Sequence, residues 1–213
     1  MAQIYPSLIA GDVLNLGPMA RMLEPHCTGF HLDVMDFQFV QNLTCGPLFV
    51  NALRKAVTKP LWVHLMVEHP EKYLKQLQLK SKDLISVHLE SAHDPNIFTT
   101  IRSQGLLASI AINPDTEITQ LAPYLDRVDH VLLMTVRPGF SGQKFLVGSV
   151  ERLAELKKIM EYLKHKPLIG VDGGLNRETL PQLLDMGIDM AGMGSGIFEQ
   201  DNPATELEYW LKV

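Results

Sequence analysis

Short runs of β-branched and apolar residues recur along this chain every 20 to 35 residues or so, and most of the segments between them carry helical periodicity. The runs span residues 4–10, 29–35, 60–67, 84–90, 108–113, 130–136, 167–173 and 190–197. Helical segments are expected over 46–56, 70–79, 96–104, 147–163, 177–186 and 204–211. Asn176 reads as an N-cap with Thr179 in the first turn, Pro70 suits a first helical turn, and Gly187 closes a helix before the last run. Strands this uniformly apolar, each followed by a helix, imply a parallel sheet covered on its outside. The closed (β/α)8 TIM barrel is the economical α/β architecture, with an open doubly wound sheet as the alternative. No linker or low-complexity stretch interrupts residues 1–213, so the chain reads as a single domain.

Charge and composition narrow the partners. The formal charge of −5 has no basic block set against it, which argues against nucleic acid. No apolar stretch approaches the roughly 20 residues needed to cross a bilayer, and residues 1–6 lack a charged segment leading into an apolar run, so no membrane partner is expected and the chain reads as cytoplasmic. Cys27 and Cys45 show no CxxC spacing and read as free thiols.

A barrel places its chemistry at the C-terminal ends of its strands. His31 and Asp33, in Gly29-Phe30-His31-Leu32-Asp33-Val34-Met35-Asp36, share a strand face with Cα atoms about 6.6 Å apart. An imidazole and a carboxylate so placed suit a divalent cation; the plainer reading is a core histidine bonded to its neighbour. His64 nears the end of the third strand and Asp172 closes the seventh, and two histidines with two carboxylates converging on one mouth make a four-ligand set. Gly173-Gly174 and Gly192-Met193-Gly194-Ser195-Gly196 lie where barrels bind phosphate through backbone N–H groups, although tight turns explain the same residues. A nicotinamide fingerprint belongs after an early strand and is rejected. Residues 137–143 read as a lid or as a plain surface loop, with Arg137 available to a phosphate or to another rim residue. Met35, Met66 and Met134 pack at strand ends and supply a dry wall. His88 and Glu90 take a structural or supporting role, whereas His26, His69, His93, His130 and His165 are expected to be solvated.

The ordered motifs Pro6-Ser7, His31-Leu32-Asp33-Val34-Met35-Asp36, Phe39-Val40, His64-Leu65-Met66-Val67, His88-Leu89-Glu90, Asn113-Pro114, Met134-Thr135-Val136, Pro138-Gly139-Phe140, Gly142-Gln143-Lys144-Phe145, Val171-Asp172-Gly173-Gly174 and Gly194-Ser195 together resemble the ribulose-phosphate 3-epimerase family. The resemblance implies a (β/α)8 barrel holding one divalent metal ion through His31, Asp33, His64 and Asp172. Zinc is the default, and iron, manganese or cobalt are permitted. It further implies Asp33 and Asp172 as acid and base, and substrate contacts from Ser7, His64 and the glycine loops (Gly139, Ser141, Gly142, Gly173, Gly174, Gly194, Ser195). The substrate implied is a ketose phosphate, D-ribulose 5-phosphate, and many members of the family form homo-oligomers. Inverting a carbon beside a ketone passes through an enediolate, which a cation stabilises while two carboxylates on opposite faces exchange the protons.

The departures from the family pattern fall in loops. Phe37-Gln38 stands in place of Gly-His, Gln41 in place of proline, and Ile9-Ala10-Gly11-Asp12 in place of Leu-Ser-Ala-Asp. Arg137 replaces Glu, Asn or Asp, and Ser141 replaces glycine. They bear on the sugar phosphate and the lid, and keep a hexulose (allulose) 6-phosphate 3-epimerase as an alternative. A catalytically silent phosphate-binding barrel would be expected to have lost a ligand or base, and all four are present.

Overall fold

A computed structural model describes residues 2–213. Eight parallel strands run β1 (Gln3–Pro6), β2 (Phe30–Met35), β3 (Leu61–Met66), β4 (Leu84–His88), β5 (Leu107–Ile112), β6 (His130–Met134), β7 (Leu168–Asp172) and β8 (Met190–Met193). Their order is β1-β8-β7-β6-β5-β4-β3-β2, and a parallel bridge between Ser7 and His31 joins the two ends into a barrel. Closure overturns the open doubly wound alternative. Every residue of β2, β3, β4 and β6 is buried, as strands packed inside on one another and outside on helices must be.

The outer layer consists of helices α1 (Leu16–Leu23), α2 (Pro47–Ala56), α3 (Pro70–Leu74), α4 (Ile97–Ser103), α5 (Ser149–Met160), α6 (Leu180–Asp185), α7 (Ser195–Phe198) and α8 (Pro203–Trp210). Between β5 and β6 only 3-10 turns occur, at Ile118–Leu121 and Leu125–Arg127, in a stretch where Pro114 and Pro123 interrupt helical hydrogen bonding. Several elements differ from the sequence expectation. The first run ends as strand at Pro6 and continues as a 3-10 turn (Leu8–Ala10), and the fourth turns at Leu89–Ser91. The helix expected over 70–79 stops at Leu74, and the eighth run leaves the sheet after Met193 to open α7. Asn176 accepts from the N–H groups of Glu178 and Thr179, capping the turn that leads into α6.

The N-terminal end of the barrel is tied by a repeated device. Asp83, Asp129 and Asp189 immediately precede β4, β6 and β8. Their side chains accept from the N–H of Leu61, Ala108 and Ile169 on the preceding strands (2.8, 2.9 and 2.8 Å). Their carbonyls accept from Leu107, Leu168 and Gln3 on the strands that follow. Arg54 on α2, itself buried, donates to Asp83 (2.7 Å) and to the Val57 carbonyl (2.7 Å).

Candidate functional site

At the opposite, C-terminal end, strand register assembles the four ionisable residues. Asp33 on β2 pairs with His64 on β3, and Met35 pairs with Met66 directly above them. On the far side Met134 pairs with Asp172, and Asp172 with Gly192. One donor atom from each of His31, Asp33, His64 and Asp172 can be chosen so that all four lie within 4.8 Å of one another. The His31 and His64 side chains are fully buried, while those of Asp33 and Asp172 retain 8% and 14% exposure, so the two carboxylates face the opening.

Asp33 accepts from Ser7 Oγ (2.7 Å) through one oxygen and lies 3.0 Å from His64 Nδ1 through the other. Burial alone would raise its pKa, yet the adjacent His31 and His64 rings hold the carboxyl well below the usual range. Burial likewise opposes protonation of His64, but contacts with Asp172 and Asp33 prevail and lift its pKa to about 9. His64 Nε2 lies 2.8 Å from His88 Nε2, and His88 Nδ1 lies 3.3 Å from Glu90. Glu90 in turn accepts from the Asn113 N–H (2.9 Å) and Thr116 Oγ1 (2.5 Å). His88 is completely buried, which pushes its pKa down to about 4. Among the described residues the two ring nitrogens of His31 find no hydrogen-bond partner; Nδ1 is 3.4 Å from Asp33 Oδ2. A buried imidazole with both nitrogens free, beside a second histidine and two carboxylates, fits a cation that takes mixed nitrogen and oxygen donors.

Above this cup a cleft is lined by Ser7, Asp33, Met35, Met66, Met134 and Asp172, by Gly139, Ser141 and Gly142 of the loop after β6, and by Gly173, Gly174, Gly194 and Ser195. His31 and His64 lie beneath it rather than in its wall. Gly192 of the late glycine run, Val136, Pro138, Phe140 and Gln143 of the family motifs and Ile9 of a loop that departs from the family pattern also line the cleft, and Leu175 is the lining residue that did not stand out in the sequence. Leu175 directly follows Gly173-Gly174, and that adjacency was the available signal. Gly173 (φ 110°) and Gly174 (φ 66°) need positive φ, and a Cβ on Gly173 would come within 2.2 Å of Val136.

The loop over 137–143 is tied down at both ends. Arg137 donates twice to Asp115 on the rim, each bond 3.1 Å, and Gln143 caps the Arg137 and Phe140 carbonyls. Across the cleft, Asn42 Nδ2 donates to the Gly139 carbonyl (2.6 Å), linking this loop to the one after β2, where Phe37 adopts φ 62°. His26, His69, His93 and His165 lie at or near the surface, but His130 is buried. Burial and then the nearby His31 depress its pKa to about 3. The expectation that it is solvated fails because β6 begins with its first side chain directed into the barrel.

The fold and the His/Asp cup define a (β/α)8 barrel with one candidate metal centre at its catalytic mouth. Residues 3–198 match the ribulose-phosphate 3 epimerase family, and the chain belongs to that family. It is 37% identical over 205 residues to the ribulose-phosphate 3-epimerase of Bacillus subtilis (strain 168), covering 95% of this chain and 94% of that one. It is 35% identical to the chloroplastic ribulose-5-phosphate-3-epimerase of Arabidopsis thaliana, over 92% of this chain and 71% of the relative. Among solved structures, KGPDC from Streptococcus mutans superposes with a TM-score of 0.68, at 16% identity over 100% of this chain and 96% of the other. That likeness concerns the barrel alone. No helix among the described residues is long and apolar enough to cross a membrane.

Proposed function

We propose that this chain interconverts D-ribulose 5-phosphate and D-xylulose 5-phosphate by inverting C3, with Asp33 and Asp172 as the two acid/bases. The observation that carries the reading is the convergence of two carboxylates, from β2 and β7, on two buried histidines at the mouth of a barrel that belongs to the epimerase family. His31, Asp33, His64 and Asp172 are the residues that would hold a divalent cation, and their donor set favours zinc. When bound, the ion supplies Lewis-acid stabilisation of the negative charge that develops on the ketose oxygens.

The remaining work falls to the chain. One carboxylate takes the C3 proton, and the other delivers a proton to the opposite face of the planar enediolate. Ser7 Oγ, donating to Asp33 Oδ2, keeps one carboxylate oxygen occupied and orients the other. Met35, Met66 and Met134 keep water from the enediolate with polarizable, apolar surface. Backbone groups at Gly173, Gly174, Gly194 and Ser195, with Gly139, Ser141 and Gly142 opposite, are the proposed phosphate contacts.

Asp33→Asn and Asp172→Asn test the assignment. Each variant, with its metal content measured, should lose epimerisation by roughly a thousandfold or more. Each should still exchange solvent deuterium into one epimer through the surviving carboxylate. Near-normal epimerisation by either metal-loaded variant would remove that residue from the mechanism.

A further inference from the structure

A histidine that ligates a metal ordinarily has its second ring nitrogen hydrogen-bonded, which fixes the plane of the imidazole. His31 has no such bond from either nitrogen among the described residues. Packing sets its plane instead. The Trp62 indole meets it in a T-shaped contact, with centroids 4.6 Å apart and planes at 85°. Gly192 lies so close that a Cβ there would stand 3.2 Å from His31 Cδ2.

Trp62 precedes His64 by two residues on β3 and therefore faces the interior one layer below it. Its indole is itself held. Trp62 Nε1 donates to Ser86 Oγ (2.7 Å), Ser86 Oγ donates to Ser109 Oγ (2.8 Å), and Ser109 Oγ lies 2.7 Å from His130 Nδ1. All four residues are buried, and the chain of bonds passes from β3 through β4 and β5 to β6. An indole N–H can only donate, so Ser86 Oγ accepts from Trp62 and passes its own hydrogen on to Ser109. The His130 ring packs back against the indole (5.0 Å, 80°), and Tyr5 meets it as well (5.5 Å, 89°). Gly170 on β7 makes room for both rings: a Cβ there would be 2.3 Å from His130 Nε2 and 2.9 Å from the Trp62 ring.

We infer that Trp62 is a positioning residue for His31. Its indole, fixed by the Ser86, Ser109 and His130 chain, sets the plane in which the imidazole presents a nitrogen to a divalent cation. The inference rests on reading His31, Asp33, His64 and Asp172 as the metal ligands.

Two variants separate positioning from packing. Trp62→Phe keeps an aromatic ring but loses the N–H and the outer ring, and Ser86→Ala keeps the indole but removes its acceptor. The probe is Co2+, with its dissociation constant and its visible absorption band measured on each protein, together with thermal unfolding of the metal-free form. The dissociation constant should rise about tenfold in Trp62→Phe and by roughly threefold in Ser86→Ala, with an altered band in both. A floor that only stabilises would lower the melting temperature and leave the constant and the band at wild-type values, which would overturn the inference. If Trp62→Phe does not fold, Ser86→Ala decides by the same criterion. Wild-type protein that binds no Co2+, or binds it equally well after His31→Ala, would overturn the metal reading together with the inference. Wild-type binding with unchanged variants would overturn the inference alone.

Discussion

Gly192 on β8 lies against both Asp172 and His31, and adding one methyl group there perturbs the site without removing any of its chemistry. Its backbone lies outside the positive-φ region, so alanine is conformationally acceptable. The new Cβ would stand 3.1 Å from Asp172 Oδ1 and 3.2 Å from His31 Cδ2, where ordinary contact begins at 3.4 Å. The carboxylate must therefore retreat by about 0.3 Å and the imidazole by about 0.2 Å for a normal van der Waals contact. A displacement of about 1 Å can reduce turnover by about a hundredfold, so shifts of this size predict a loss of roughly 3- to 10-fold in kcat. Overpacking against side chains free to shift should cost about 1 kcal/mol, lowering the melting temperature of a chain this long by about 2–4 °C. Conversion of ribulose 5-phosphate by metal-loaded Gly192→Ala measures the first effect and thermal unfolding the second. Gly46→Ala is the control for kcat, because its Cβ would meet nothing within 4 Å. A Gly192→Ala enzyme with wild-type kcat and wild-type Co2+ affinity would refute the placement of Asp172 and His31 beside this strand.

Arg54→Met leaves Asp83 buried with two backbone donors but no cation, so it should cost about 3 kcal/mol, at the low end for breaking a buried pair, and lower the melting temperature by about 6–12 °C. Because that pair sits at the N-terminal end of the barrel, kcat/KM should be unchanged; a melting temperature within 2 °C or so of wild type would contradict the reasoning. Glu24 is held below its ordinary pKa: burial opposes ionisation, but Lys59 N–H, Thr58 Oγ1 and Thr58 N–H all donate to it. Its folded pKa is depressed, so its stabilising contribution is present above the unfolded value of 4.5 and is lost as pH falls through the folded one. Urea unfolding of Glu24→Gln across pH 3 to 7 or so should therefore show a deficit above about pH 5 that shrinks on acidification, and a pH-independent deficit would count against this account. Asn42→Ala removes the bond to Gly139 and should raise KM by roughly fivefold, the equivalent of about 1 kcal/mol. It should also speed amide exchange over 137–143, and unchanged exchange would show that the loop does not depend on this tie.

The parts of this molecule that sequence reveals are those in which a residue's own neighbours state its environment. His31, Asp33, His64 and Asp172 each interrupt an apolar strand, and a barrel offers such residues only its interior or its mouth. His130 gave no such signal. At the head of a strand, a polar residue looks the same in sequence whether it turns toward solvent or toward the interior. The registers Ser86 to Ser109 and Ser109 to His130 bring its partners beside it, and those registers belong to neighbouring strands. Strand ends were overrun for a similar reason, since Leu8–Ala10 stays apolar and Leu89 between His88 and Glu90 continues the alternation although the backbone has already turned.

The acidic residues before the even-numbered strands carry the point further. Asp83, Asp129 and Asp189 each follow a loop, where an aspartate ordinarily signals a turn and little else. In the barrel each one fastens two strands besides its own, the preceding strand through its carboxylate and the following one through its carbonyl. The equivalent place before β2 holds Gly29, where a Cβ would lie 2.4 Å from the Pro60 carbonyl, so no aspartate fits and the Phe30 N–H bonds to that carbonyl directly. The break in the pattern falls next to the seam where β1 and β2 meet through the Ser7 and His31 bridge. Ser7 at this sparsely bonded join also donates to Asp33, so the position of one proposed base depends on how the barrel closes. Closure and the proposed catalysis thus share residues at this seam, whereas the aspartates at the other end hold the remaining strands in register without entering the site.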